Sequence, residues 1–176
     1  LLFYTQIDDP MLLQANSNGM YVFTQPNGYI NTQGLEANMK WTYHDFKLFM
    51  GYTFADVKEH YDSQESEYPL VAKHRLNNVL MYEKHGNFWI GLEAYYFSPQ
   101  KLSDGSTGKS YWIMGIMSEK KVGKYFSLFL NFENMLDTRQ TRFDTIYTGN
   151  ISDPQFRDIY APVDGFVVNG GFKLSL

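Results

Sequence analysis

The chain has 176 residues, a formal net charge of −4, no cysteine, and an aromatic content of 18% that includes fourteen Tyr and fourteen Phe. That length suits one sizeable domain or part of a larger one. The acidic balance without a basic patch excludes nucleic acid as a partner, and the lack of cysteine excludes disulfide frameworks and thiolate metal sites.

Period-two alternation then marks eight strands along the chain, in keeping with a composition rich in Tyr and Phe and modest in Ala and Leu. The first, 1–9, begins on apolar residues with no basic segment or methionine before it, so the chain is expected to open inside a strand of a longer protein. Segment 30–43 sets Leu35, Ala37, Met39, Trp41 and Tyr43 against Glu36, Asn38, Lys40 and Thr42. Segment 45–57 sets Phe46, Leu48, Met50, Tyr52 and Phe54 against Lys47, Phe49, Gly51 and Thr53. In 74–84, Leu76, Asn78, Leu80 and Tyr82 alternate with Arg75, Asn77, Val79, Met81 and Glu83. Segment 87–98 opposes Phe88, Ile90, Leu92, Ala94 and Tyr96 to Trp89, Gly91, Glu93 and Tyr95. Segment 110–122 has Trp112, Met114 and Ile116 as its apolar face. Segment 123–136 places Phe126, Leu128, Leu130 and Phe132 opposite Ser127, Phe129, Asn131 and Glu133. The last, 165–176, carries Phe166, Val168, Gly170, Phe172, Leu174 and Leu176 on one face.

The connections alternate in length. His44-Asp45, His85-Gly86 and Val122-Gly123-Lys124 are tight turns, whereas 10–29, 58–73, 99–109 and 137–164 are long and polar. A soluble sandwich or barrel has no reason to keep that rhythm; a transmembrane barrel has short periplasmic turns and long external loops. Several strands are also longer than the ~5–6 residues usual in soluble sheets, and a tilted membrane strand needs ~9–11. Aromatic pairs near the strand ends (Trp41 and Tyr43, Tyr95 and Tyr96, Tyr111 and Trp112, Tyr125 and Phe126) read as interface girdles. The expected fold class is therefore all-β, an antiparallel transmembrane β-barrel segment of about eight long strands in contact with outer-membrane lipid. No run approaches the ~18–20 apolar residues of a spanning helix.

The stretch Phe132-Glu133-Asn134-Met135-Leu136-Asp137-Thr138-Arg139-Gln140 resembles the penultimate-strand motif of TonB-dependent outer-membrane receptors, especially the Bacteroidetes type. The closing Gly165-Phe166-Val167-Val168-Asn169-Gly170-Gly171-Phe172-Lys173-Leu174 resembles their last strand. Gly34-Leu35-Glu36-Ala37 followed by Gly51-Tyr52-Thr53-Phe54 is similar to an internal strand pair, and Pro69 to Leu76 to the segment opening the next strand. The resemblance covers the whole chain. It implies a larger barrel of ~22 strands with a plugged lumen, of which 1–176 is the C-terminal portion, the plug domain and earlier strands lying elsewhere in the full-length protein. It also implies a bacterial outer-membrane location and a TonB complex that acts through the missing N-terminal part. One departure is the final residue, Leu176, where such proteins often end in Phe.

Candidate functional residues follow from position. Glu36, Lys40, Glu93, Asn131 and Glu133 alternate away from the apolar faces and are expected to face the lumen, since Lys or Arg toward lipid costs about 2–4 kcal/mol near the midplane. Their simplest role is bonding to plug and lumen water; the sharper one is a polar path for substrate. Loop 137–164 carries Arg139, Arg142, Tyr147, Phe156, Arg157 and Tyr160, a mixture typical of recognition surfaces and also able to pack as a lid over the mouth. Arg139 is expected to pair with a carboxylate of a neighbouring strand or loop.

The carboxylate pairs Asp8-Asp9, Asp56 with Glu59, and Glu65 with Glu67 have no base or nucleophile placed beside them, so no enzyme is expected. His44 and His85 fall in turns. His60 and His74 flank a loop holding Asp62, Glu65 and Glu67, without a ligand spacing that defines a metal site. No cofactor is called for.

The resulting expectation is an active-transport receptor that takes a scarce nutrient, a siderophore, haem, cobalamin or glycan, at its external loops. The small-molecule or metal-chelate ligand would then be imported with TonB-derived energy. The alternative is a complete small eight-stranded outer-membrane barrel with a structural or adhesive role.

Overall fold

A computed structural model of the chain describes residues 1–16, 18–61 and 64–175. The strands in chain order are β1 (Leu2–Asp8), β2 (Leu12–Ala15), β3 (Tyr21–Thr24), β4 (Gly28–Tyr43), β5 (Phe46–Tyr61), β6 (Gln64–Glu67), β7 (His74–Lys84), β8 (Phe88–Phe97), β9 (Tyr111–Val122), β10 (Phe126–Glu133), β11 (Tyr147–Asn150), β12 (Asp153–Phe156) and β13 (Val167–Leu174). Eight of them form one sheet in the order β1-β4-β5-β7-β8-β9-β10-β13, and β6 adds to β5. Every long pairing is antiparallel, and each strand neighbours the next long one in sequence.

The eight expected strands are therefore present, with shifted ends. β4 starts two residues earlier than the alternation suggests, and β5 runs four residues beyond 57. Loop 58–73 thus gives up much of its length to β5 and β6, and loop 10–29 holds the β2–β3 hairpin. β10 stops at Glu133 because Asn134 takes a left-handed conformation, φ 46°, so Met135 and Leu136 leave the strand. Leu176 and Asp62 lie outside the described residues.

Directly opposed residues of paired strands share a face. One register row at the turn end reads Tyr43, Phe46, Tyr82 and Ile90, and the next reads Trp41, Leu48, Leu80, Leu92 and Ile116. This apolar face is solvent-exposed in the isolated chain, as a lipid-facing surface must be: Trp41 is 54%, Leu128 48% and Phe172 69% exposed. From Tyr43 to Leu35 the face runs eight residue steps, roughly 27 Å along the strand, or roughly 21 Å at a barrel tilt of ~40°. Aromatic side chains complete the ~25 Å band. Trp41 stacks on Tyr43 at the turn end, and Tyr96 meets Trp112 at the loop end.

Sequence-adjacent aromatics cannot both join such a girdle, because neighbours along a strand point to opposite sides. Tyr95 and Tyr111 accordingly face inward; Tyr111 stacks on Phe97 at 4.9 Å.

Beyond Leu35 and Phe54 the two faces exchange character. Outward positions become Gln33, Asn31, Asp56, Lys58 and His60, while the inward ones become Thr32, Ile30, Ala55 and Val57. β1 follows the same switch, with Gln6 and Asp8 outward and Phe3 and Ile7 inward. Hydrocarbon therefore ends at this level, and β1, β4, β5 and β6 rise above it as a wing.

Among the described residues no ladder joins β1 to β13, so the sheet is open. A complete small eight-stranded barrel requires that ladder, and this reading is corrected accordingly. Among the described residues no helix is long and apolar enough to cross a membrane.

The lipid-facing assignment makes a direct prediction. Leu92→Arg on the apolar face should destabilise the folded receptor by about 2–4 kcal/mol in denaturant titrations performed in lipid vesicles, whereas Glu93→Gln, one residue away on the other face, should change it by well under half of that.

Candidate functional site

The long loops at the outer end are bound into one unit. Gln140, only 1% exposed, sits at the start of a 3₁₀ turn (Gln140–Arg142) and uses its whole amide. Its Oε1 accepts from the backbone N–H of Tyr160 at 2.9 Å and of Ala161 at 3.1 Å, and its Nε2 donates to the carbonyl of Asp158 at 2.9 Å. The two arms of loop 137–164 are thereby held together. A buried amide that satisfies three backbone groups cannot be replaced by an apolar residue without stranding them.

Tyr160 joins this loop to 99–109. Its ring packs with Leu102, Ala161, Tyr111 and Phe143 in the small core of the loop region. Its hydroxyl donates to Asp144 Oδ2 at 2.9 Å and accepts from the Lys109 N–H at 3.0 Å. Its carbonyl accepts from the Tyr111 hydroxyl at 2.8 Å and from Gln100 Nε2 at 3.2 Å. Gly108 is required here: a Cβ would stand 2.7 Å from the Tyr160 ring.

Arg157 adds charge to the junction, donating to Asp144 Oδ1 at 2.9 Å and to Ser106 Oγ at 3.2 Å, with Asp104 3.6 Å away. Burial pushes the Asp144 carboxyl up, but the Thr145 N–H, the Tyr160 hydroxyl and the Arg157 guanidinium outweigh it and hold it below its ordinary 3.8. Burial and the neighbouring Asp144 raise the Tyr160 phenol.

A second clasp sits where the chain leaves the membrane. Asn134 Nδ2 donates to the carbonyls of Thr138 and Asp164, and its Oδ1 accepts from the Thr138 N–H. Asp137, also left-handed with φ 51°, receives both arginines of the motif: Arg139 Nη2 lies 3.0 Å from Oδ2, and Arg142 pairs with the same oxygen. Asp137 also accepts from the Phe166 N–H at 3.2 Å, which ties the start of β13 to the end of β10. The partner of Arg139 is thus its own neighbour two residues back, not a carboxylate of another element. A Cβ at Gly165 would collide with the Asp137 carboxylate, so a side chain there must displace that carboxylate.

On the inward face at the hydrocarbon boundary, with Tyr160 in its lining, lies a cleft of about 390 Å³. Its aromatic wall is Phe3, Phe97, Tyr111 and Tyr160, and Arg75 enters from β7. Among the described residues no ion pair involves Arg75. Aromatic faces and one uncompensated guanidinium suit an anionic or π-rich guest.

The residues singled out from sequence separate into two groups. Arg157 and Tyr160 are committed to the loop junction, and Arg139 and Arg142 to Asp137. Tyr147 and Phe156 stand opposite each other on the β11–β12 hairpin, 44% and 77% exposed. Glu36, Lys40, Glu93, Asn131 and Glu133 lie on the polar face. Lys40 sits 5.2 Å from the Phe49 ring, Asn38 donates to Glu36 at 2.7 Å, and Asn131 and Glu133 are both bonded to Asn169. Arg75 was not singled out; its signal was an arginine on the inward parity of a strand, opposite Thr53 and Phe97.

Asp56 and Glu59 fall on opposite faces of β5, Glu65 pairs with Lys58, and Glu67 with Lys73. His60 stacks on Tyr29 at 4.3 Å, and His74 Nδ1 meets the Tyr52 hydroxyl at 2.8 Å. Among the described residues no cluster of three or more metal-ligating side chains occurs.

A family model described as TonB dependent receptor-like, beta-barrel matches residues 2–135. Among solved structures the chain is similar to the ferric-catecholate import receptor Fiu from Escherichia coli K12, at 18% identity and a TM-score of 0.63 over 98% of this chain and 24% of that one. It is also similar to the siderophore receptor PirA from Acinetobacter baumannii, at 16% identity and 0.67 over 99% and 29%. The FrpB iron transporter from Neisseria meningitidis (F5-1 variant) aligns at 13% identity and 0.67 over 98% and 28%. The chain spans about a quarter of the length of these proteins.

Two outcomes test the loop unit. Gln140→Ala strands the Tyr160 and Ala161 amides, at about 1–3 kcal/mol for each buried group left unpaired; hydrogen exchange should accelerate across 158–162 while β7 to β10 keep their protection. Because Asp144 is held below its ordinary value, the stability it contributes is complete above pH ~4 and disappears as pH falls through the lower folded value. Protease resistance of loop 137–164 should therefore be flat from neutral pH down to about 5 and decline only in stronger acid.

Proposed function

This chain belongs to the TonB dependent receptor-like β-barrel family, a family of outer-membrane transporters rather than enzymes, and we propose that it is the C-terminal part of the barrel of an active-transport receptor. Open edges at both β1 and β13 support a larger barrel. Unpaired strand edges are not tolerated in hydrocarbon, so further strands must flank both sides. The plug domain and the TonB-contacting segment belong to the rest of the full-length protein in this reading. The narrower likeness to Bacteroidetes-type receptors rests on the Asn134-to-Arg139 motif alone.

The ligand is read as a small-molecule metal chelate of the siderophore class. The names of the similar proteins, an import receptor for ferric catecholate, a siderophore receptor and an iron transporter, support that class. In this chain the single observation that carries it is the inward cleft: an aromatic wall with Arg75 at the top of the hydrocarbon, to which the loop unit contributes Tyr160. A ferric chelate built on catecholate donors is anionic and exposes aromatic donor rings, and such a wall with its guanidinium can hold both features. Tyr147 and Phe156 on the outer hairpin are placed to meet the ligand first. Glu36, Lys40, Glu93, Asn131 and Glu133 line the polar face that the ligand would pass once the plug is displaced. No covalent step is involved.

The test is uptake of radiolabelled ferric chelates by cells whose only such receptor is the full-length protein. Arg75→Ala should weaken binding by about tenfold, the loss of one charge-assisted bond, with barrel assembly unchanged. Unchanged uptake of every anionic chelate tried, or equal loss for a neutral one, would remove the cleft from the ligand path.

A further inference from the structure

The turn end of the barrel carries an excess of lysine that no ion pair among the described residues neutralises. On the inward face Lys47 pairs with Glu83, and Lys173 with Glu119 at 2.6 Å. That consumes two of the three side-chain carboxylates at this end and leaves Asp45. Among the described residues no ion pair involves Lys84, Lys120, Lys121 or Lys124. All four are exposed. The chain as a whole is acidic, −4, so this local surplus opposes the overall balance.

Register decides which way these lysines point. Lys84 stands opposite Phe88, Phe88 opposite Lys120, Lys120 opposite Leu128, and Leu128 opposite Phe172. The five form one row on the lipid-facing side, lysines set among apolar residues, and Val122, Phe126 and Leu174 form a further apolar row one pleat nearer the turns. Lys124 lies in the β9–β10 turn beyond that further row, its ammonium 5.3 Å from the Tyr125 ring. A lysine in this row reaches along the apolar face toward the turns and carries its charge to the headgroup level. Short turns are periplasmic, so that level is the headgroup layer of the inner leaflet.

We propose that Lys84, Lys120 and Lys124 form a binding surface for the phosphate groups of anionic phospholipids in the periplasmic leaflet. A soluble acidic protein fits less well, because Lys84 and Lys120 lie in the apolar row itself and whatever neutralises them must lie alongside the band. The inference rests on the membrane orientation and not on the transported ligand.

The test uses the full-length receptor in vesicles of phosphatidylcholine mixed with brominated phosphatidylglycerol or brominated phosphatidylcholine. Quenching of outward tryptophans such as Trp41, at the same end of the barrel, reports the lipid in contact. The wild-type protein should prefer phosphatidylglycerol, with each lysine contributing up to about fivefold at low salt. Lys84→Gln, Lys120→Gln and Lys124→Gln combined should bring the preference to parity, whereas arginine at all three should keep it. Lys101→Gln with Lys109→Gln at the outer end should leave it unchanged. Shift of the unheated protein in gel electrophoresis verifies that each variant is a folded barrel. Equal quenching by the two lipids in the wild type, or a preference surviving the triple glutamine variant, overturns the proposal.

Discussion

Inside hydrocarbon there is no water to accept a backbone N–H or to donate to a carbonyl, and that constraint organises everything below the rim. Lateral pairing is the only remedy for an extended chain, so each long strand must have a long strand on either side. An up-and-down meander with three-residue or shorter turns meets the demand with the least chain. Once the ladders are fixed, the pleat assigns every second side chain to lipid, and the alternation of Phe126, Leu128, Leu130 and Phe132 with Ser127, Phe129, Asn131 and Glu133 becomes a consequence of position. Even the polar face is spent locally: Asn131, Asn169 and Glu133 bond to one another across β10 and β13.

Above the rim the constraint lapses and a different economy governs. Loops 99–109 and 137–164 have little ladder of their own, and their backbone groups are satisfied by side chains instead. Gln140 serves three of them, Asn134 serves three more, and Asp158 takes the Ser103 N–H at 2.5 Å. Tyr160 supplies the apolar mass that makes the packing worth ordering. The result is a rigid roof held by hydrogen bonds in place of disulfides, consistent with a chain that has no cysteine.

These two regimes explain what the amino-acid order reveals unaided. The membrane strands are legible because hydrocarbon enforces period two residue by residue; 74–84 is recovered to the residue as β7. The wing of β4 and β5 above the rim is less legible, since its outward side turns polar and the familiar pattern inverts at Gly34. That loop 137–164 carries residues able to pack is readable in advance; which atoms it bonds to is not. Several of its bonds join residues 51 to 60 positions apart, such as Lys109 with Tyr160 and Gln100 with Tyr160, and no local pattern encodes such distances. Arg139 misleads for the opposite reason: its partner, Asp137, is too near to be noticed when one looks to a neighbouring strand or loop.

The inversion of faces at Gly34 and Leu35 also works as a depth gauge. Sinking the barrel would drag Asp56, Lys58 and Gln33 into acyl chains, and lifting it would expose Leu35, Phe54 and Tyr52 to water. Both displacements are opposed over a single strand step, so the vertical position is fixed far more sharply than by a band that fades gradually. A bilayer of unsuitable thickness must therefore deform around the protein rather than the protein around it, at fractions of a kcal/mol per ångström. Such a barrel would be sorted toward thin membrane and would tend to gather with neighbours that share the same preference.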